Sequence, residues 1–216
     1  MRRVLKVAAL VTLAAGCALN KAEKGAIIGA GAGGVAGAVI GKATGSTVRG
    51  AIIGAAVGGV AGAVIGHQMD KQAEELAYEL PGATVQRVGE GIAVTFPEGL
   101  LFGYDSDQVT AAARDNLRKF AASLNKYPNT RTLIVGHTDS DGRAEYNMDL
   151  SDRRALSAAG FISAEGVDRA RISTTGRGEA EPIATNSSDA GRRQNRRVEI
   201  AIYANAEAAP SNGSGN

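Results

Sequence analysis

Apolar and polar positions fall into three regimes along the chain, and each predicts a different structure. Residues 25–45, GAIIGAGAGGVAGAVIGKATG, and 50–70, GAIIGAAVGGVAGAVIGHQMD, are two copies of one repeat at an offset of 25. Glycine recurs at 25, 29, 33, 37, 41 and 45, and again at 50, 54, 58, 62 and 66. A spacing of four lines small residues along one slowly drifting helical face. Such a face lets another backbone approach closely. In water, glycine weakens a helix by up to about 1 kcal/mol per residue relative to alanine. A helix here therefore needs surroundings, lipid or protein, that penalise unpaired backbone. Lys42 to Arg49 is the polar break and contains Gly45, so the pattern predicts a helical hairpin over 25–66 with arms of 17 residues. That length is the short limit for crossing a bilayer core of about 30 Å. Three readings stay open: two membrane-inserted helices, an oligomerising zipper outside the membrane, and a flexible linker. The Ile/Val filling argues against the last, since linkers are polar.

Charges appear abruptly at residues 67–82, HQMDKQAEELAYELPG, which predict a short amphipathic linker helix stopped by Pro81-Gly82. Residues 83–204 suit one domain. Val85–Val88 and Ile92–Phe96 are β-prone runs around Gly89-Glu90-Gly91, a hairpin pattern. Thr110 can cap a helix to about Lys126, with Ala113, Leu117, Phe120, Ala121 and Leu124 at helical spacing and Pro128 beyond its end. Arg131–His137 holds the apolar core of a buried strand. A second helix spans about Arg143–Ser163, with Gly166 after it, and Ile172–Thr175 and Val198–Tyr203 are the last strands. The order β-β-α-β-α-β-β predicts an α+β domain, a mixed sheet with two main helices on one face. Residues 205–216 are rich in Ala, Asn, Ser and Gly and read as a disordered tail.

The N-terminus changes the picture of location. Residues 1–16 combine Arg2, Arg3 and Lys6 with an apolar run from Val7 to Ala15 and small residues before Cys17, which is secretory signal architecture. Cys17 is the only cysteine, placed where a thiol could be diacylated. The segment resembles a bacterial lipoprotein signal, which implies a lipidated N-terminus over 17–24. Ala18 follows the cysteine, and by that resemblance the residue favours the outer membrane. Each buried acyl methylene contributes about 0.8 kcal/mol, so several chains anchor durably. Losing the signal removes three positive charges from the 24 Lys+Arg, leaving 21 against 22 Asp+Glu. A net of −1 gives no argument for nucleic acid as a partner.

The stretch from His137 to Arg154, HTDSDGRAEYNMDLSDRR, carries the candidate chemistry. Asp139 follows an apolar strand, where nearby unpaired N–H groups favour a carboxylate. Asn147, Leu150, Ser151 and Arg154 lie at i, i+3, i+4 and i+7, one stripe of a helix. Asn195-Arg196-Arg197 precedes the last strand. Converging opposite charges suit a ligand that carries both an ammonium and a carboxylate. On spacing alone, a salt bridge between Asp139 and Arg154 is the simpler reading. His137, at a strand end, reads as a hydrogen-bonded structural residue. His67 and His137 are far apart and make no zinc pattern. Asp139-Ser140-Asp141-Gly142 fails the calcium-loop pattern, because Gly142 falls at position four and Leu150 at position twelve. No serine has a nucleophile-elbow setting. The chain therefore reads as a binding protein, with no enzyme activity, metal or cofactor.

Four separated segments, FGYDSDQVTAAARDNL, VGHTDSDGRAEYNMDLSDRRA, GVDRARISTTGRGEAEPIATN and GRRQNRRVEI, resemble the OmpA-like C-terminal domain over roughly residues 100–203. The repeat is similar to a glycine-zipper domain of bacterial envelope proteins. The OmpA resemblance implies a noncovalent clamp on peptidoglycan, with diaminopimelate of the stem peptide as its handle. By that resemblance Asp139 receives the ligand's ammonium and Arg154 grips its carboxylate. Phe102 and Asp105 border the pocket, Thr138, Asn147, Leu150 and Ser151 line or shape it, and Arg196 belongs to the family's NRR element. Gly103 stands where the family often has an acid. The reading implied is an outer-membrane lipoprotein, anchored through Cys17, whose periplasmic domain binds the wall. An alternative is a pore or secretion component in which zipper hairpins oligomerise in the membrane and the C-terminal domain positions it. The zipper face also allows copies of the chain to associate.

Overall fold

The computed structural model describes residues 45–57, 63–103 and 105–205. In chain order its elements are α1 (Thr47–Val57), α2 (Ala63–Glu79), β1 (Thr84–Val88), β2 (Gly91–Pro97), α3 (Glu98–Leu101), α4 (Ala111–Lys126), β3 (Thr130–His137), α5 (Ala144–Ala164), a 3-10 turn (Arg169–Arg171), β4 (Ile172–Gly176), α6 (Asp189–Asn195) and β5 (Arg197–Ala204). The sheet runs β1-β2-β5-β3-β4. Only β3 and β4 pair in parallel. A parallel neighbour needs a crossover, and α5 supplies it.

The expected order of strands and of the two main helices matches, and three short helical pieces add to it. Thr110 caps α4 as the sequence suggests, its Oγ1 accepting from the Ala113 N–H at 3.1 Å. One sheet face presents Ile92, Val94, Phe96, Ile134, Ile200 and Ile202 to buried side chains of α4 and α5. The rings of Phe96 and Phe120 meet edge-on, centroids 6.2 Å apart. Close helix–sheet contact requires glycine at two places. A side chain at Gly136 would run into the Ser151 carbonyl, and one at Gly176 into the Ser151 hydroxyl and the Asp152 main chain.

The expected linker helix over 67–82 differs in two ways. It begins at Ala63, inside the second repeat copy, and it belongs to the core. Met69, Ala73, Leu76 and Leu80 are buried in the same cluster as Phe96 and Leu117. Their spacing forms one apolar stripe, so this helix packs where a mere linker would stay solvated.

Of the hairpin expected over 25–66, the first arm lies outside the described residues, and the described part of the second docks on the sheet. The second copy's first helix, α1, lies on the sheet face opposite α4 and α5. Val48 and Ile52, both 1% exposed, pack with Val135 and Ala201. Gly50 and Gly54, one turn apart, are buried, so the glycine face serves an approach to the sheet. A Cβ on Gly91 would stand 2.7 Å from the Ile52 side chain. The helix start is fixed by Glu181, which accepts from the Thr47 N–H at 3.0 Å and from Thr47 Oγ1 at 2.5 Å, while Arg177 donates to that hydroxyl at 2.7 Å. No helix among the described residues is long and apolar enough to cross a membrane. Cys17, residues 25–44 of the first repeat copy and residues 206–216 lie outside the described residues.

The first copy reads Ala22-Glu23 where the second reads Thr47-Val48. Only the second has a hydroxyl to donate to Glu181 and a valine to bury. The substitution Val48→Glu, which copies the first repeat, is expected to release α1, since burying an unpaired carboxylate costs several kcal/mol. Hydrogen exchange should then lose protection over 50–56 and keep it in β3 and β5; unchanged protection would contradict the docking.

Candidate functional site

The site gathers at the C-terminal end of β3. Asp139 leaves the strand and is 6% exposed. Its Oδ1 accepts from the Asp141 N–H at 3.1 Å, a local turn that fixes the carboxylate. Its Oδ2 takes Arg196 Nη1 at 2.5 Å. Arg196 Nε reaches Glu98 Oε2 at 2.7 Å, and the other Glu98 oxygen accepts from Arg154 Nη2. Arg154 completes its shell with the Ser106 carbonyl at 2.9 Å from Nε and the Phe102 ring, 5.7 Å from its guanidinium carbon.

The result is a chain of four alternating charges, Asp139–Arg196–Glu98–Arg154, with two anions and two cations. Asp139 and Arg154 are not paired with each other in it. Arg154 is 2% exposed and is among the largest fully buried side chains. A buried guanidinium is tolerable only when paired and hydrogen-bonded. Arg196, with 25% of its side chain exposed, is the link that faces solvent. Burial alone would lower its pKa, but the Asp139 hydrogen bond and the Glu98 charge outweigh it and hold the guanidinium above its ordinary range.

Asn147 ties the loop to α5. Its amide donates to the Asp139 carbonyl at 3.3 Å, the Asp141 carbonyl at 3.1 Å and Glu179 Oε2 at 2.9 Å. Thr138 donates its hydroxyl to the Asp139 carbonyl at 2.9 Å and its N–H to the Gly178 carbonyl at 2.9 Å. Six of the nine sequence-predicted pocket residues thus converge: Asp139, Arg154, Arg196, Phe102, Thr138 and Asn147. Three sit elsewhere. Ser151 is fully buried in the seam of α5 with β3 and β4, its hydroxyl donating to the Met148 carbonyl at 2.7 Å and accepting from the Gly178 N–H at 2.9 Å. Leu150 is buried one residue earlier on that stripe. Asp105 is exposed at a left-handed backbone position, φ +51°, and accepts from the Tyr146 hydroxyl at 2.6 Å.

Glu98 and Tyr146 are the residues sequence reasoning missed. Glu98 opens α3, and an acid in a first turn ordinarily reads as a helix-end charge. Only the fold, through the Glu98 N–H to Arg196 carbonyl bond of 3.0 Å, brings it between the two arginines. Arg197, the next residue of the basic cluster, is buried and paired to Glu199 at 2.7 Å. His137 corrects the sequence expectation: it is buried, but neither ring nitrogen makes a hydrogen bond among the described residues. A surface cavity lined by Tyr78, Glu79, Pro81, Lys119 and Ala122 shares no residue with the charge chain.

The OmpA family model matches residues 101–196, and the YMGG-like Gly-zipper model matches residues 1–70. The chain is 40% identical over 215 residues to the probable lipoprotein YiaD of Escherichia coli (strain K12), covering 93% of this chain and 98% of that protein. This chain belongs to the OmpA family. A second relative of this OmpA-family chain is the peptidoglycan-associated lipoprotein of Agrobacterium fabrum, 31% identical over 130 residues, 60% of this chain and 73% of that protein. Among solved structures, the cell wall anchor of the T6SS from Pseudomonas aeruginosa superposes with a TM-score of 0.53 at 30% identity, over 65% of this chain and 96% of that one. The matched OmpA segment contains five of the six converging residues outright and ends on the sixth, Arg196.

Burial, with Arg197 and Arg177 nearby, holds the His137 pKa well below 6.5. The unfolded chain then binds a proton near pH 6.5 that the folded chain does not. Stability from this group is therefore present above that pH and lost as pH falls below it, by at most about 1.4 kcal/mol per pH unit. The thermal midpoint is expected to drop between pH 7 and 5.5, and His137→Gln to flatten that slope. An equal slope in the variant would contradict the assignment.

Proposed function

We propose that this chain holds the outer membrane to the cell wall by noncovalent binding of peptidoglycan, and that the charge chain at the end of β3 is its grip. The observation that carries the reading is the buried set Asp139–Arg196–Glu98–Arg154 with its open edge at Arg196. A site with separate anionic and cationic poles suits a zwitterionic amino acid. In the stem peptide, the free end of diaminopimelate offers an ammonium for Asp139 and a carboxylate for the arginines. The relatives' names, a peptidoglycan-associated lipoprotein and a cell wall anchor, support the polymer as ligand. A modest grip suffices, because tethering raises the effective concentration of wall near the clamp.

The tether in this reading is acylated Cys17, after removal of residues 1–16, which puts the C-terminal domain in the periplasm. The first repeat copy is then free to associate with other envelope material or another copy of the chain. The rival reading as a pore requires the second copy to leave the sheet, where Val48 and Ile52 are buried.

Co-sedimentation of the full chain with purified sacculi tests the grip. Each charge-assisted hydrogen bond contributes about 1.5–3 kcal/mol, so Asp139→Asn is expected to weaken binding roughly 10- to 150-fold. Arg154→Lys should weaken it comparably, since an ammonium cannot reproduce the fork that meets Glu98 and the Ser106 carbonyl. Binding left intact in both folded variants would remove the site from this reading.

A further inference from the structure

In the grip proposed above, Asp139 and the arginines meet the ligand and Glu98 is given no contact with it, yet Glu98 touches both arginines. Its carboxylate is 10% exposed and spans Arg154 Nη2 and Arg196 Nε, one oxygen each. The helix that carries it has four residues and no side-chain cap bond, so Glu98 is not held by capping. Its main chain is locked to β5 through the Arg196 carbonyl. Both cations that could receive a ligand's carboxylate are therefore occupied by an internal one. Among the described residues, the other side-chain anion touching either arginine is Asp139, which is bonded to Arg196.

This arrangement sets a charge rule. The four groups sum to zero, two positive and two negative. They lie where an extra uncompensated charge is costly. A ligand that brings one carboxylate and one ammonium keeps the sum at zero: its carboxylate shares the guanidinium donors with Glu98, and its ammonium takes the Asp139 oxygen that Arg196 bridges. A ligand with a carboxylate alone places three anions against two cations. A ligand with an ammonium alone makes the opposite excess. Resting on the proposed peptidoglycan grip, we propose that Glu98 is a positioning and specificity residue that makes the site selective for a head group of zero net charge. Free diaminopimelate ends satisfy the rule, and ends whose carboxylate is amidated do not.

The test uses the full chain and three soluble probes: diaminopimelic acid, pimelic acid, which lacks the ammonium groups, and 1,5-diaminopentane, which lacks the carboxylates. Each competes with sacculi in sedimentation, and binding is followed by NMR titration. Wild type is expected to bind diaminopimelic acid at least tenfold more tightly than either single-sign probe. Glu98→Gln keeps the side chain's shape but gives the four groups a net positive charge, so the preference over pimelic acid should fall at least tenfold. Glu98→Asp keeps the charge and shortens the reach, so affinity should fall while the preference stays. A wild-type protein that binds pimelic acid as tightly as diaminopimelic acid would overturn the rule even if neither variant folds. So would an unchanged preference in folded Glu98→Gln. Failure of wild type to bind sacculi at all would instead remove the underlying reading, which separates the two failures.

Discussion

The site depends on one constraint: Arg154 is buried, and a buried guanidinium must be answered. Glu98, the Ser106 carbonyl and the Phe102 face supply the answer from the segment between β2 and α4, far from Arg154 in sequence. Arg196 extends the answer across to Asp139. Removing any member leaves a neighbour uncompensated. The same interactions that hold α3, α5 and the start of β5 together are therefore those that, in the proposed grip, present charge to a ligand. In the proposed reading, stability and recognition rest on one set of ion pairs.

The sheet places these groups. Parallel pairing of β3 with β4 brings the ends of both strands and their loops to one edge, where Thr138 is bonded to Gly178. Antiparallel pairing of β5 with β2 and β3 puts Arg197 opposite both Pro97 and His137, so Glu98, Arg196 and Asp139 become neighbours by register alone. Gly136 and Gly176 let α5 settle close enough for Asn147 and Arg154 to face that edge. A side chain at either glycine would push the helix away and separate the poles.

Much of this was legible in the sequence, and the limits are physical. Strong periodicity gave the strands and α4 and α5 within a residue or two, because a long amphipathic pattern has one good solution. The stripe Asn147, Leu150, Ser151 and Arg154 is buried as its spacing implied. Spacing could not say which of its members join the charge chain; Ser151 spends its hydroxyl on the Met148 carbonyl and the Gly178 N–H, and Leu150 is buried. Glu98 was invisible, because its partners lie 56 and 98 positions away. The repeat left its neighbour open for a related reason. Glycine at every fourth position requires a close neighbour but does not name it, and for the second copy the neighbour is this domain's own sheet.

The central claim is that Arg154 and Arg196 together hold the carboxylate of a zwitterionic wall residue while Asp139 holds its ammonium. The most direct measurement follows the guanidinium Nε–Hε resonances of the two arginines while a diaminopimelate-containing stem tripeptide is added. Both signals are expected to move together and saturate at one ligand per chain, with the Asp139 carboxyl carbon moving in step. Saturable binding that leaves both guanidinium signals where they were would place the ligand elsewhere and contradict the account.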